Sequence, residues 1–430
     1  MRISTSQIFS AGALGIQRNQ QGLFTLQNQL STGRRVLTPA DDPVAAAQAL
    51  IVTQSKDMVN QFADNQGNAR AQLGVLEGNL GTMSDMMLAI SERVQDARNQ
   101  VYSDTERGFI AQELQNRLDE LISIGNSDDG TGQFLFSGYQ GATRPFALSG
   151  AAPVAPATQS PVAYSGDEGE RLLQVSTSRQ MAVNVSGAEV FMNIRSGNGT
   201  FATAVGGNSG GGINQGTATI DAGSVTNPAE WSAAVDAHGS FRIEFSNGGG
   251  GLEYQIYNAA NVAMLAAPVS FTPGQAIPLQ KTTAPAASFG AQVVVSGTPA
   301  AGDQFTIEPS TDQSLFLTLQ NLIGALKTPV NAAFTRTELD NRLNEARTNI
   351  DRAFENLSRI RADVGSRQKE LDFLSEGAED LDLQYAATLS DLQDLDYTEA
   401  ISRFTQQQMQ LEAAQKSFVQ ISGLSLFSIL

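Results

Sequence analysis

The sequence predicts an α+β chain: a long antiparallel helical rod, coiled-coil-like, built from both chain ends, with a β-rich domain inserted between them. Three observations predict it. At the front Phe9, Ile16, Leu23 and Leu30 recur at seven-residue spacing, and at the back Tyr397, Phe404, Leu411 and Phe418 do the same. Seams of that period leave water only against a partner helix. Further in, two long segments keep apolar residues at alternating steps of three and four. Between them lie 11 of the 14 prolines, from Pro145 to Pro309, and 26 of the 40 glycines, from 128 to 312. Both residue types disfavour helix interiors, so the composition shift marks an inserted domain.

Taken in order, residues 1–42 and 396–430 are expected to be terminal arms, with Leu26 filling the front seam and Ile421, Leu424 and Phe427 extending the back one. Gly12, Gly15 and Gly22 interrupt the front arm and leave it marginal alone, so its ordering is expected to wait for a neighbouring subunit. The arm stops at Gly33, which suits the residue after a helix end. A connector follows, with Gly33, Arg34, Arg35, Asp41, Asp42 and Pro43 as its marked positions. Asp42-Pro43 reads as an N-cap and first-turn proline. Arg34 and Arg35 fall level with Asp391, Asp394 and Asp396 on the returning chain, where opposite charges, within or between subunits, would fix the register of the arms.

Residues 43–127 and 313–395 read as the rod. Leu73, Leu76, Leu80, Met83, Met87, Ile90, Val94, Ala97 and Val101 form one seam, and Leu339, Leu343, Ala346, Ile350, Ala353, Leu357, Ile360, Val364, Leu371, Leu374, Ala378, Leu381 and Tyr385 form the other, with Arg367 its polar exception. A helix of about 60 residues is roughly 90 Å long and needs an equally long partner, so the two segments are paired antiparallel. Ser103 to Glu106 reads as a turn before a third helix that stops near Gly125, and a short apolar helix fits 315–327, ended by Pro329. Residues 128–191 read as a β segment beside the rod, with a hairpin of 133–139 and 143–146 around Gln140-Gly141. Residues 192–312 read as an outer β-rich domain.

The composition excludes several functions. With 27 basic and 44 acidic side chains the net charge is −17, so phosphate-rich nucleic acid and anionic membrane surfaces are repelled. No cysteine is present and His238 is the single histidine, which removes thiolate chemistry and two-histidine zinc sites and leaves no HExxH. His238 reads as an exposed loop residue. The acids Asp380, Asp382, Asp391, Asp394, Asp396 and Glu399 are strung along a helix rather than gathered in a binding loop. No catalytic residue, metal site or cofactor is expected: the chain does not read as an enzyme. Without a cleavable secretory signal at its start, it would by that route remain in the cytoplasm.

The stretch LSTGRRVLTPADDPVAAAQA, Leu30 to Ala49, resembles the N-terminal signature of the flagellin superfamily, and the residues from Asp394 onward resemble its terminal helix. The opening MRIST, GQFLFSGYQGATRPF at 132–146, the YSGD-containing stretch 162–191, SGTPAAGDQFTI at 296–307 and the ending from Gln420 are similar to hook-associated members of that superfamily. Residues 192–290 carry no such signature. The resemblance implies a structural protein of the bacterial flagellum, supporting motility, secreted unfolded through the type III export apparatus and so extracellular. It implies a homo-oligomeric junction ring between hook and filament, with the arms lining the axial channel. The implied partners are further copies of itself, the other hook–filament junction protein, flagellin and a cytoplasmic export chaperone. The alternative is a filament-forming flagellin, against which the YSGD and LFSG segments argue.

Overall fold

A computed structural model describes residues 5–99, 101–149, 157–332 and 334–427. The opening residues 1–4 lie outside it. The helices are α1 (Thr5–Thr32), α2 (Pro43–Ala97), α3 (Asp104–Gly125), α4 (Pro228–His238), α5 (Leu315–Lys327), α6 (Arg336–Gln393) and α7 (Tyr397–Phe427). Four short strands follow α3: β1 (Phe146–Leu148), β2 (Val162–Tyr164), β3 (Leu172–Gln174) and β4 (Gln180–Ala182). Next come β5 (Ile194–Arg195), β6 (Phe201–Asn208), β7 (Thr219–Ile220) and β8 (Ser224–Val225). After α4 the chain forms β9 (Phe241–Gly248), β10 (Gly251–Asn258), β11 (Val269–Ser270), β12 (Ala276–Lys281), β13 (Ala287–Ser296), β14 (Asp303–Pro309) and β15 (Asp312–Gln313).

Two compact units divide the chain, and α2 and α6 each contribute to both. The first holds residues 1–67, 174–179 and 372–430; the second holds 68–173 and 180–371. Within the first, α1 lies along α7, and Lys56 of α2 pairs with Asp382 of α6 at 3.5 Å. Within the second, Arg361 of α6 donates to Glu77 of α2 at 2.9 Å, and the Arg336 guanidinium reaches the Arg98 carbonyl at 2.8 Å. Higher numbers on one helix meet lower numbers on the other, which is the antiparallel pairing expected. The seam positions from Leu73 to Ala97 and from Leu339 to Leu371 are buried, as is Ala378, whereas Leu374 and Tyr385 are half-buried and Val101 and Leu381 are exposed. Arg367, the polar exception, leaves the seam to pair with Glu170 at 3.1 Å and with Asp363 at 2.6 Å.

The rest of the second unit is β-rich. A five-stranded antiparallel sheet runs β11-β10-β9-β14-β6, and a second sheet runs β12-β13-β7 with β8 also on β13. Phe201, Phe241, Phe245, Phe289 and Phe305 fill the space between them with the Trp231 indole of α4. Closer to the helices, Phe146 and Phe191 pack on Phe316 of α5, the latter stacked at 5.4 Å. Side-chain amides of α6 hold strands and loops of this unit. Asn341 accepts from the Ile220 amide at 3.0 Å and donates to the Ala218 carbonyl at 3.1 Å. Asn349 accepts from the Gly197 amide at 2.8 Å, and Asn356 donates to the Glu189 carbonyl at 2.8 Å.

Several local expectations are corrected. The 133–146 hairpin does not form: Phe146–Leu148 pairs with Val162–Tyr164 instead. Its backbone groups are spent elsewhere, since the Tyr139 amide donates to the Asp167 carboxylate and the Phe136 carbonyl accepts from Gly187. Ser103 to Glu106 is a capping box rather than a turn. The Ser103 hydroxyl accepts from the Glu106 amide while the Glu106 carboxylate accepts from the Ser103 amide, satisfying two orphan donors at the start of α3. His238 ends α4, half-buried, its ring 5.3 Å from that of Phe289. The helix α4 lies inside the stretch read as outer β-rich domain, and its start is marked by Asn227-Pro228, an N-cap followed by a first-turn proline.

Candidate assembly site

The features singled out in the sequence fall in the first unit. Phe9, Ile16, Leu23 and Leu30 of α1 are half-buried, as are Phe404, Leu411 and Phe418 of α7. Phe9 meets Phe418 edge-on at 5.7 Å. The glycines read as interruptions are partly seats: a Cβ at Gly12 would come 2.8 Å from the Phe418 ring, and one at Gly22 would come 2.9 Å from the Gln407 amide. The helix runs through them unbroken, and glycine at 12 and 22 leaves room for the α7 side chains. The side chains of Ile421, Leu424 and Phe427 lie outside the described residues, although their backbone is helical.

Very little of this unit is sealed. Among its described residues the buried ones are Ala45, Ala49, Gln66, Val175, Ala378 and Ala400, five of them small or short. Phe24 is 64% exposed, Leu50 70%, Ile51 64%, Phe373 74% and Leu383 69%. A groove of 470 Å³ opens among Met58, Phe62, Val175, Leu374, Leu381 and Tyr385.

The connector closes the arm pair. Gly33 has φ of 71°, and a Cβ there would sit tight against the Tyr397 hydroxyl at 3.0 Å, so glycine is favoured on both counts. The Leu395 amide donates to the Gly33 carbonyl at 2.9 Å and the Arg35 amide to the Gln393 carbonyl at 2.7 Å. These backbone bonds set the register. Within the chain Arg35 pairs with Asp42 at 3.4 Å and donates to the Leu392 carbonyl at 2.8 Å, rather than pairing with Asp391, Asp394 or Asp396. Asp394 and Asp396 are engaged locally, the former by the Ser390 hydroxyl and the latter by the Thr398 amide at 2.8 Å and the Glu399 amide at 3.1 Å. Asp396 is thus the N-cap of α7, as Asp42 is of α2, where it accepts from the Ala45 amide at 3.0 Å. The signal for Asp396 was present in Asp396-x-x-Glu399, a capping pattern. Asp41 accepts from the Thr38 amide and hydroxyl and from the Leu37 amide. The Thr38 amide first, then its hydroxyl, holds the Asp41 carboxyl below the usual carboxylate range.

Among the described residues no group of three or more His, Asp or Glu is placed to hold a metal ion, and no helix is long and apolar enough to cross a membrane. What the geometry offers is a helical joint and an apolar surface.

The family model for the bacterial flagellin N-terminal helical region matches residues 3–141, and that for the C-terminal helical region matches 347–430. Together they take in just over half of the chain. The chain belongs to the flagellin superfamily. Within the superfamily it aligns over its whole length with flagellar hook-associated protein 3 of Salmonella typhimurium, 24% identical over 430 residues and covering 99% of that relative. The crystal structure of the flagellar junction protein FlgL from Legionella pneumophila matches 81% of the chain and 100% of its own, at 28% identity and a TM-score of 0.68. Filament flagellins of the superfamily match less: that of Escherichia coli is 27% identical over 136 residues, 32% of this chain and 24% of its own length. The chain is therefore a structural component of the bacterial flagellum of the hook-associated, junction type.

Proposed function

We propose that this chain is the subunit of the ring that joins the hook, through the other hook–filament junction protein, to the flagellin filament, and that it is not an enzyme. The observation that supports this most is the full-length likeness to hook-associated protein 3, set beside the partial match to flagellin. The half-buried seams of α1 and α7 and the exposed apolar groove fit a subunit whose burial is completed by its neighbours. On this reading Phe9, Ile16, Leu23, Leu30, Tyr397, Phe404, Leu411, Phe418, Ile421, Leu424 and Phe427 pack the arms and meet adjacent subunits. Gly33, Arg34, Arg35, Asp41, Asp42 and Pro43 set the angle of arm to rod. The protein reaches the cell exterior by flagellar type III export, held beforehand by a cytoplasmic chaperone at its apolar C-terminus.

Deleting the gene tests the reading. Electron microscopy should show intact hooks without filaments, with flagellin accumulating in the medium and motility lost. Normal filaments in the deletion strain would refute it, and long homopolymers formed by the purified protein would favour the flagellin alternative.

A further inference from the structure

The seam between α1 and α7 carries two packing defects. The first is Gln407. Ala400, Gln407 and Ala414 recur at seven-residue spacing, each three residues after a member of the series Tyr397, Phe404, Leu411. Gln407 is thus the amide in a seam otherwise aromatic or aliphatic. Its neighbours Gln406, Gln408 and Gln410 are exposed, whereas Gln407 is half-buried and lies over Gly22, where a Cβ would come 2.9 Å from its Nε2 and 3.0 Å from its Oε1. That Oε1 is buried and has no hydrogen-bond partner among the described residues, and Gly22 has no side chain with which to supply one. The second defect is a hollow of 250 Å³ between the same two helices, beside Gly15, Ile16, Ala414 and Phe418. Nothing lies within 4 Å of the point that a Gly15 Cβ would occupy.

Neither defect is required by the packing around it. Methionine is as long and unbranched as glutamine and would cover Gly22 without a polar atom to bury. Alanine at 15 would enter the hollow and favour the helix. As the residues stand, a buried amide oxygen without a donor costs free energy while the helices remain paired, and the atoms lining the hollow lose dispersion contacts. Both costs vanish when α7 leaves α1. We propose that Gln407 sets the strength of the arm pair and holds it low, so that α1 and α7 of a free subunit part readily and pack again among the arms of further copies of this chain. The weakness of the pair stands on the seam alone; its use in packing against further copies rests on the ring reading above.

Gln407→Met isolates the effect, because it keeps the length of the side chain and removes the amide. In the purified full-length protein, hydrogen exchange of the α1 and α7 amides should slow by about tenfold, while core amides such as Ile243 keep their rate. Gly15→Ala added to it should slow the exchange further, and Gln408→Met, on the exposed side of α7, should leave it unchanged. In a deletion strain the wild-type gene should restore filament attachment. The Gly15→Ala/Gln407→Met gene should restore it several-fold less often, although its arms are the better protected. Unchanged arm exchange in Gln407→Met, or equal slowing in Gln408→Met, would overturn the role of Gln407. Slowed exchange with attachment equal to that of the wild type would overturn the use of weak pairing in assembly. Normal filaments in the deletion strain itself would refute the ring reading, and the proposed use with it, and leave the exchange result to decide the role of Gln407.

Discussion

The two compact units are made of similar helices and differ in what they bury. In the second, nearly every seam position from Leu73 to Val94 and from Leu339 to Val364 is sealed, and nine phenylalanines are fully buried. In the first, the apolar seam residues of α1 and α7 stay half-exposed and the sealed side chains are mostly alanines. The same heptad pattern therefore has two outcomes. Where a second helix and a third layer are available in the chain, the seam becomes a core. Where only one partner helix is available, half of it remains open, and the free energy of its burial is left for association. A folded domain and an assembly element can thus share one sequence grammar.

That difference predicts unequal responses to one substitution. Phe191→Ala removes a ring packed on Phe136, Phe146 and Phe316 and should lower the unfolding free energy of the monomer by about 3–5 kcal/mol. Phe418→Ala removes a ring touching mainly Phe9. It should cost the monomer about 1 kcal/mol or less, yet abolish filament attachment in cells. Denaturant unfolding and motility assays of both variants test the pair. Equal losses of monomer stability would erase the distinction between the units.

Next in size is Gly33→Ala. A side chain there is strained by the positive φ and crowds the Tyr397 hydroxyl. The expected cost is about 1–2 kcal/mol, confined to the arm pair. Limited proteolysis should therefore cut α1 and α7 faster while the fragment near 43–390 survives as in the wild type. Pairing the change with Tyr397→Phe should recover only the steric part, because the backbone strain remains. Full recovery by Tyr397→Phe would mean that the hydroxyl contact, rather than φ, is what requires glycine.

Smaller again are the two caps. Asp42→Ala and Asp396→Ala each free backbone amides at the start of a helix, and each should cost about 1 kcal/mol. Because α2 enters the sealed unit and α7 does not, the first should register in global unfolding and the second chiefly in arm proteolysis. Identical behaviour of the two variants would show that the arm pair and the sealed unit unfold together.

How much of this was legible in the sequence follows from the same division. Both long helices, their antiparallel pairing and their buried seams were readable, because periodicity reports a face whenever something covers it. The connector was readable from Gly33 and Asp42-Pro43, whose roles are local. The 133–146 hairpin was misread because β-propensity says nothing about backbone groups claimed by Asp167 and Gly187, distant in sequence. The glycines at 12 and 22 were misread for a similar reason: only the position of Phe418 and Gln407 turns a weak helix position into a seat. The asparagines at 341, 349 and 356 carry no signal in the sequence, since nothing in a helix pattern shows that a strand or loop will lie beside them.

The smallest expected effect on stability, and a separate one on function, belongs to Arg34 and Arg35. Arg35 is half-exposed, its ion pair with Asp42 is 3.4 Å long, and such pairs contribute about 0–1 kcal/mol. Register is held by backbone bonds from Leu395 to Gly33 and from Arg35 to Gln393, which a side-chain change leaves in place. Reversing both arginines to glutamate should therefore leave the melting temperature of the monomer nearly unchanged. In cells the reversal puts two more negative charges at a joint already bordered by Asp41, Asp42, Asp391, Asp394 and Asp396, and that repulsion recurs in every copy of a ring. Filament attachment should weaken, and higher ionic strength should partly restore it, because exposed charges are screened within about 10 Å at 0.1 M salt. Normal swimming by the double reversal in both low and high salt would reduce the pair to a solvated turn and leave the backbone alone to set the joint.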